Sequence, residues 1–208
     1  MNEDNSVFTY ELFLKLKQAA NQYPDEDTYL WFKLSYEAFT SYRLNNETDL
    51  IRLIAFAYSW MPTMAKFKSH FGNNVNSLID QINSFKAITD VADFENYQSR
   101  VEDLLKNLVK IINNSIVGSS KVLHFTNPSI FPIIDSRVVK GWNQLIETAN
   151  EQGRSAIISG NLLSNPDKAI PFYIRYTTTL LHWLTEIKRS EPNTKMRDLE
   201  VYLYIIGR

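Results

Sequence analysis

Cysteine is absent from this 208-residue chain, which excludes disulfide bonds, thiolate catalysis, zinc–thiolate sites and iron–sulfur clusters. The three histidines, His70, His124 and His182, lie far apart in the sequence and form none of the closely spaced pairs that bind zinc. We therefore expect no metal site and no cofactor.

Long hydrophobic runs are also lacking. The longest, residues 53–58, is far shorter than the roughly 20 residues that cross a membrane. The first five residues are acidic and polar, unlike the start of a signal peptide. These features predict a cytoplasmic protein with no membrane partner.

Turn-forming residues are scarce, with 6 Gly and 7 Pro, whereas large side chains are plentiful, with 12 Phe, 11 Tyr and 4 Trp. Apolar residues recur at helical spacing along most of the chain, with breaks near Pro24, Pro62 and Asn113–Ser115. No repeat or long linker interrupts this pattern. The sequence predicts an all-α fold of about eight helices, packed as one domain over residues 1–208 in one body or two lobes.

Charge is low overall, at −1, but unevenly distributed. Residues 104–145 carry one acid, Asp135, and a set of basic residues: Lys106, Lys110, Lys121, Arg137 and Lys140. Such a basic region on a near-neutral chain can hold a short stretch of nucleic acid or another anion. It can equally be a solvated helix face, and both interpretations stay open here.

The region from residue 95 to residue 150 holds the pattern with the most chemical content. A long helix ending at Asn113, a hairpin around Gly118 and a second helix from about Ser119 describe a helix-hairpin-helix. Glycine tolerates backbone angles that a hairpin requires. The amides of Ser119 and Ser120 at the start of the second helix could then bind a phosphate, next to Arg137 and Lys140 on the following helix.

Lys121 and Asp135 are the candidate reactive groups. A position in the first turn of a helix favours a lowered pKa for the Lys121 ammonium. The extended run 129–135 is long enough, at up to about 20 Å, to bring Asp135 back beside Lys121. A lysine and a carboxylate in one site can support Schiff-base or base-excision chemistry, with the carboxylate stabilising a sugar cation.

In the order of its parts, residues 95–150 resemble the core of the helix-hairpin-helix (HhH-GPD) DNA glycosylase superfamily. Lys121-Val-Leu-His, Phe131-Pro-Ile-Ile-Asp-Ser and the closing pattern Arg197-Asp-Leu-Glu-Val-Tyr-Leu-Tyr look more like uncharacterised bacterial proteins distantly related to those enzymes. The resemblance implies that Gly118 binds backbone phosphate, that Lys121 is the lysine of bifunctional members, and that Asp135 is the essential carboxylate.

Each candidate residue also has a structural interpretation. Asp135 precedes a predicted helix, so it can be an N-cap, a reactive group or both. Lys121 can be a solvated lysine, and His124 a core histidine bonded to backbone. Two hypotheses follow: a DNA-binding protein of glycosylase-like ancestry with base-excision activity, or a non-enzymatic helical module that binds protein partners or forms a homo-oligomer.

Overall fold

Nine α-helices make up most of the computed structural model, which describes residues 8–22, 30–40, 43–61, 64–65, 75–148 and 162–208. The helices are α1 Tyr10–Ala20, α2 Leu30–Thr40, α3 Glu47–Ser59, α4 Val75–Ser84, α5 Val91–Ile111, α6 Ile116–Thr126, α7 Ser136–Thr148, α8 Pro166–Ile187 and α9 Met196–Ile206. No β-strand occurs within these ranges. The prediction of one all-helical domain is confirmed for the described residues.

Side-chain caps set where most of these helices begin. The side chains of Thr9, Asn46, Asp90, Ser115 and Asn165 each accept a hydrogen bond from a backbone amide in the first turn of the helix that follows. These amides lack partners inside the helix, so each cap stabilises its helix by about 1 kcal/mol.

The helix α6 lies at the centre of the core and packs against α2, α3, α4, α5 and α8. Every residue from Gly118 to Thr126 is buried, including four residues of types that ordinarily face solvent: Ser119, Ser120, Lys121 and His124. Small residues at its start allow this enclosure. The Cα of Gly118 faces the ring of Tyr58, and an added Cβ would lie 2.8 Å from the Tyr58 hydroxyl.

The turn between α5 and α6 differs from the predicted hairpin. Helix α6 begins at Ile116, not near Ser119, and Gly118 is therefore inside its first turn. The chain instead reverses at Asn113 and Asn114, whose φ angles of 53° and 55° are left-handed. Asparagine tolerates this region better than most residues, which is why the reversal needs no glycine.

Helices α7 and α9 are in direct backbone contact. A Cβ on Gly141 of α7 would lie 1.9 Å from the Leu203 carbonyl oxygen of α9, and a Cβ on Gly207 would lie 1.9 Å from the Arg137 carbonyl oxygen. Backbone thus meets backbone at both points. This contact fixes the C-terminal end of α9 against the first half of α7, the helix that Asp135 precedes.

Candidate functional site

The buried segment Phe131–Ile134 leads directly into Asp135, and side chains take the place of a partner strand along it. Four buried residues from three helices bind its backbone in turn. His124 Nδ1 donates to Phe131 O at 2.7 Å, Tyr173 donates to Pro132 O at 2.8 Å, Glu200 Oε2 accepts from Ile133 N at 2.7 Å, and Ser120 Oγ accepts from Ile134 N at 3.3 Å. Each unmade bond of this kind would cost about 1–3 kcal/mol in the interior. The segment therefore has one conformation, and Asp135 one position.

Asp135 caps α7. Its Oδ1 accepts hydrogen bonds from the amides of Arg137 at 3.0 Å and Val138 at 2.9 Å, while its carbonyl accepts from Val139 N at 2.9 Å. The predicted capping role is confirmed. The residue is only half-buried, so its carboxylate lies at the boundary between core and solvent.

Lys121 is buried, and the interpretation of it as a solvated lysine is wrong. Its side chain is on the central helix, and Nζ donates to the carbonyl oxygen of Trp60 at 2.8 Å. Burial lowers the pKa of Lys121 to about 8, the nearby charge of Asp135 opposes that shift, and Arg197 adds to it. The predicted direction of the pKa is right, but its cause is burial and not the helix start.

Arg197 completes a group of charges with Lys121 and Asp135. It lies in the first turn of α9, and its guanidinium carbon is 5.4 Å from the ring centre of Tyr36 and 5.6 Å from that of Trp60. The two rings are themselves 5.9 Å apart. Cation–π contact with two faces holds the guanidinium in place beside the lysine.

Glu200 connects this group to the segment before Asp135. It is 1% exposed, and its Oε1 forms an ion pair with Arg197 while its Oε2 accepts from the Ile133 amide. The same Oε2 lies 3.3 Å from His124 Nδ1. One buried carboxylate thus orients the arginine and the backbone that positions Asp135.

His124 is a core histidine bonded to backbone, as one interpretation of the sequence predicted. Burial lowers its pKa to about 3, so the ring is neutral near pH 7. Because Nδ1 donates to the Phe131 carbonyl, Nε2 is the acceptor, and it accepts a hydrogen bond from the Tyr36 hydroxyl at 2.8 Å. His124 therefore fixes the orientation of the Tyr36 ring, which the Arg197 guanidinium contacts.

The residues predicted to hold phosphate at the hairpin do not offer free amides. Ser119 and Ser120 are fully buried, the Ser119 amide bonds Ser115 O at 3.1 Å, and the Gly118 amide bonds Ser115 Oγ at 3.1 Å. That structural premise is wrong, because the helix starts three residues earlier than predicted. Ser120 instead supports Ile134, as described above.

The other basic residues of the central region occupy separate places. Lys106 is paired with Glu102 at 2.7 Å on α5, which packs against α6 and α8. On α7, the Arg137 guanidinium donates to the Tyr204 hydroxyl at 2.6 Å, and Lys140 donates to the Arg208 carbonyl. These residues are close in sequence, but the fold places Lys106, Arg137 and Lys140 at exposed positions of two helices and Lys121 in the interior.

No sequence signal predicted Tyr36, Trp60, Arg197 or Glu200 as site residues. Arg197 and Glu200 are three positions apart on a predicted helix, which is the spacing of an intrahelical ion pair. That signal was present in the sequence. Their burial beside Lys121 depends on the packing of α9 against the rest of the fold, which the spacing does not contain.

The pKa of Lys121 leads to a pH-dependent stability difference. Because the folded-state pKa of about 8 lies below the unfolded value, the unfolded chain binds more protons between these two pKa values. The free energy of unfolding of the wild type, relative to Lys121→Met, should therefore rise from about pH 8 to about pH 10 by up to about 3 kcal/mol. Urea unfolding of both proteins across this range measures the difference.

Lys106→Met is the matched control for that experiment. Its hydrogen bond to Glu102 raises the pKa of Lys106, so its relative stability should not rise in the same window. If the difference in free energy of unfolding between the wild type and Lys121→Met stays flat from pH 8 to pH 10, Lys121 keeps an ordinary pKa in the folded protein.

Among the described residues, no group of three or more histidine, aspartate and glutamate side chains is arranged to hold a metal ion. Within the same ranges, every helix is too short or too polar to cross a membrane.

Comparisons with protein-family models, with curated proteins and with solved structures gave no match to this chain.

Proposed function

We propose that this chain is a nucleic-acid-binding protein of glycosylase-like ancestry, whose site for base excision is centred on Asp135 and Lys121. The observation that supports it most is the buried amine of Lys121, with a pKa lowered to about 8 in the electrostatic field of Asp135. At pH 7.5 about a quarter of such amines are neutral and nucleophilic.

The chemistry assigns a separate step to each group. The neutral Lys121 amine forms a bond to C1′ of the sugar as the bond from C1′ to the base breaks, and the base leaves with that electron pair and takes up a proton. The Asp135 carboxylate stabilises the positive charge that develops on the sugar. The amine then loses a proton, its lone pair forms the C1′–nitrogen double bond as the C1′–O4′ bond breaks, and O4′ takes up a proton. Water hydrolyses the resulting protonated Schiff base to free lysine and an abasic aldehyde and releases a proton. Before attack, the Lys121 side chain exchanges its hydrogen bond to Trp60 O for the substrate.

Asp135→Asn tests this proposal. Asparagine caps a helix about as well as aspartate, so the free energy of unfolding should change by less than about 1 kcal/mol. The amide has no negative charge to offer a cationic transition state, so base release should fall by about 100-fold or more. The measurement is a screen of wild type and variant on duplexes that each carry one damaged or unusual base.

Asp90→Asn is the matched control, because Asp90 caps the exposed start of α5 through a bond to Asp93 N at 2.9 Å. It should leave base release unchanged. Borohydride in the same reactions should trap a protein–DNA adduct in the wild type and none in Lys121→Met. No base release by the wild type on any duplex, or equal release by Asp135→Asn, would remove the enzymatic proposal.

A second candidate, a non-enzymatic helical module, is favoured by a different observation. The charged groups of the site all have intramolecular partners: Lys121 with Trp60 O, Asp135 with the amides of α7, and Arg197 with Glu200. In this case the site is a structural hub, and exposed apolar residues such as Leu34 and Met64 contact a protein partner or a second copy. The Asp135→Asn screen separates the two candidates.

A further inference from the structure

Arg197 is the most accessible cation of the candidate site. Its side chain is 32% exposed, whereas Lys121 is 5% exposed and Glu200 only 1%. The guanidinium therefore lies at the rim, with the lysine and the carboxylate beneath it. A ligand at this site can therefore contact Arg197 more readily than Lys121.

The guanidinium is also held in place before any ligand arrives. The Tyr36 and Trp60 rings support it at 5.4 and 5.6 Å, and Glu200 pairs with Nη1 from below. Tyr36 is in turn fixed by His124 at 2.8 Å. Because these contacts are made in advance, binding costs little side-chain entropy.

Donors remain for a ligand on the outer side. A guanidinium carries five N–H donors in a planar fork, and its ion pair with Glu200 uses Nη1. This fork matches two oxygens of a phosphate, which a lysine ammonium cannot do. The charge of Arg197 lies close enough to Lys121 to lower the pKa of that lysine, so a bound anion would be attracted by both cations.

We propose that Arg197 binds a phosphate group of the ligand and holds it above Lys121 and Asp135. Naming that phosphate as one of a nucleic-acid backbone rests on the function proposed above. Phosphate binding itself does not, and the two are tested separately.

Binding of phosphate alone is measured on the wild type. The side-chain Nε–Hε signal of Arg197, assigned by its loss in Arg197→Lys, is followed by NMR during titration with inorganic phosphate or with chloride at equal ionic strength. We expect a saturating shift with phosphate and none with chloride. Arg189, paired with Glu186 at 2.6 Å on the surface, supplies the reference signal. If the Arg197 signal moves no more than that of Arg189, the inference is overturned.

Binding of nucleic acid is measured by fluorescence anisotropy with a duplex that carries a stable abasic-site analogue. Arg197→Gln should weaken binding by about 10-fold and reduce the salt dependence by about one ion, while Arg189→Gln should do neither. Arg197→Lys, which keeps the charge above Glu200, should bind with intermediate affinity and covers the case that the glutamine variant does not fold.

The two measurements distinguish the failure of each proposal. If the wild type, Arg197→Gln and Arg197→Lys all bind the duplex with the same affinity, the proposed function stands and the role of Arg197 is overturned. If the wild type does not bind the duplex but its Arg197 signal saturates with phosphate, the nucleic-acid function is overturned and the phosphate site is supported.

Discussion

Replacing Gly141 with alanine is expected to destabilise the protein by about 3 kcal/mol or more. The new methyl group would lie 1.9 Å from the Leu203 carbonyl oxygen and 2.8 Å from its carbon. Both atoms belong to the backbone of α9, so no side-chain rotation can relieve the clash, and the α7–α9 pair must separate. Forced overpacking of this kind usually costs 1–3 kcal/mol, and more when backbone has to move. Urea unfolding followed by circular dichroism measures the loss.

Gly118→Ala is the matched control, since it makes the same chemical change inside a buried helix. There the nearest atom is the hydroxyl of Tyr58 at 2.8 Å, the far end of a side chain. A shift of the Tyr58 ring offsets the gain of about 1 kcal/mol that alanine brings to a helix. We expect a net change within about 2 kcal/mol. A smaller loss of stability for Gly141→Ala than for Gly118→Ala would show that α9 can move away from α7 at little cost in free energy.

The contact between α7 and α9 also matters for the candidate site. Asp135 precedes α7 and Arg197 lies in the first turn of α9, so separation of the two helices changes the distance between these groups. A protein with Gly141→Ala that stays folded should therefore lose phosphate binding at Arg197 as well as stability.

Helix positions were predicted well because the signals are local. The break predicted at Asn113–Ser115 lies between the end of α5 and the start of α6, and the caps Asn46 and Asn165 are residue types that mark helix starts in a sequence. The start of α6 was missed, because a glycine in the sequence indicates a turn more strongly than two asparagines do. In the structure, Asn113 and Asn114 make the turn, and Gly118 is required by the Tyr58 contact instead.

The site was predictable only where the length of the connecting chain limits how far apart two residues can lie. The reach of the segment before Asp135 predicted that it returns toward Lys121, and the charge of Asp135 does act on Lys121, where it opposes the lowering of the pKa by burial. No such argument applied to Glu200, which is more than sixty residues away along the chain. Its role depends on which face of α9 is buried, and Arg197 and Glu200 looked like an ordinary surface pair.

Glu200→Ala is expected to cost about 3 kcal/mol, an effect comparable to that of Gly141→Ala. The change removes the acceptor of the Ile133 amide at 2.7 Å and the partner of Arg197 at once. Breaking a buried pair by deleting one member usually costs 3–5 kcal/mol, because the remaining charge is left without compensation. The partial exposure of Arg197 lets its guanidinium turn toward solvent, which keeps the loss near the lower value. The matched surface variant Glu186→Ala should cost less than about 1 kcal/mol.

Glu200→Gln separates the two tasks of this carboxylate. Glutamine keeps an oxygen that can accept from the Ile133 amide but loses the charge that pairs with Arg197. Hydrogen exchange should show the Ile133 amide protected in the wild type and in Glu200→Gln, and exposed in Glu200→Ala. Binding of phosphate at Arg197 should change in both variants, because neither holds the guanidinium from below. If the Ile133 amide stays protected in Glu200→Ala, the segment before Asp135 is held by His124, Tyr173 and Ser120 without it, and Glu200 serves Arg197 alone.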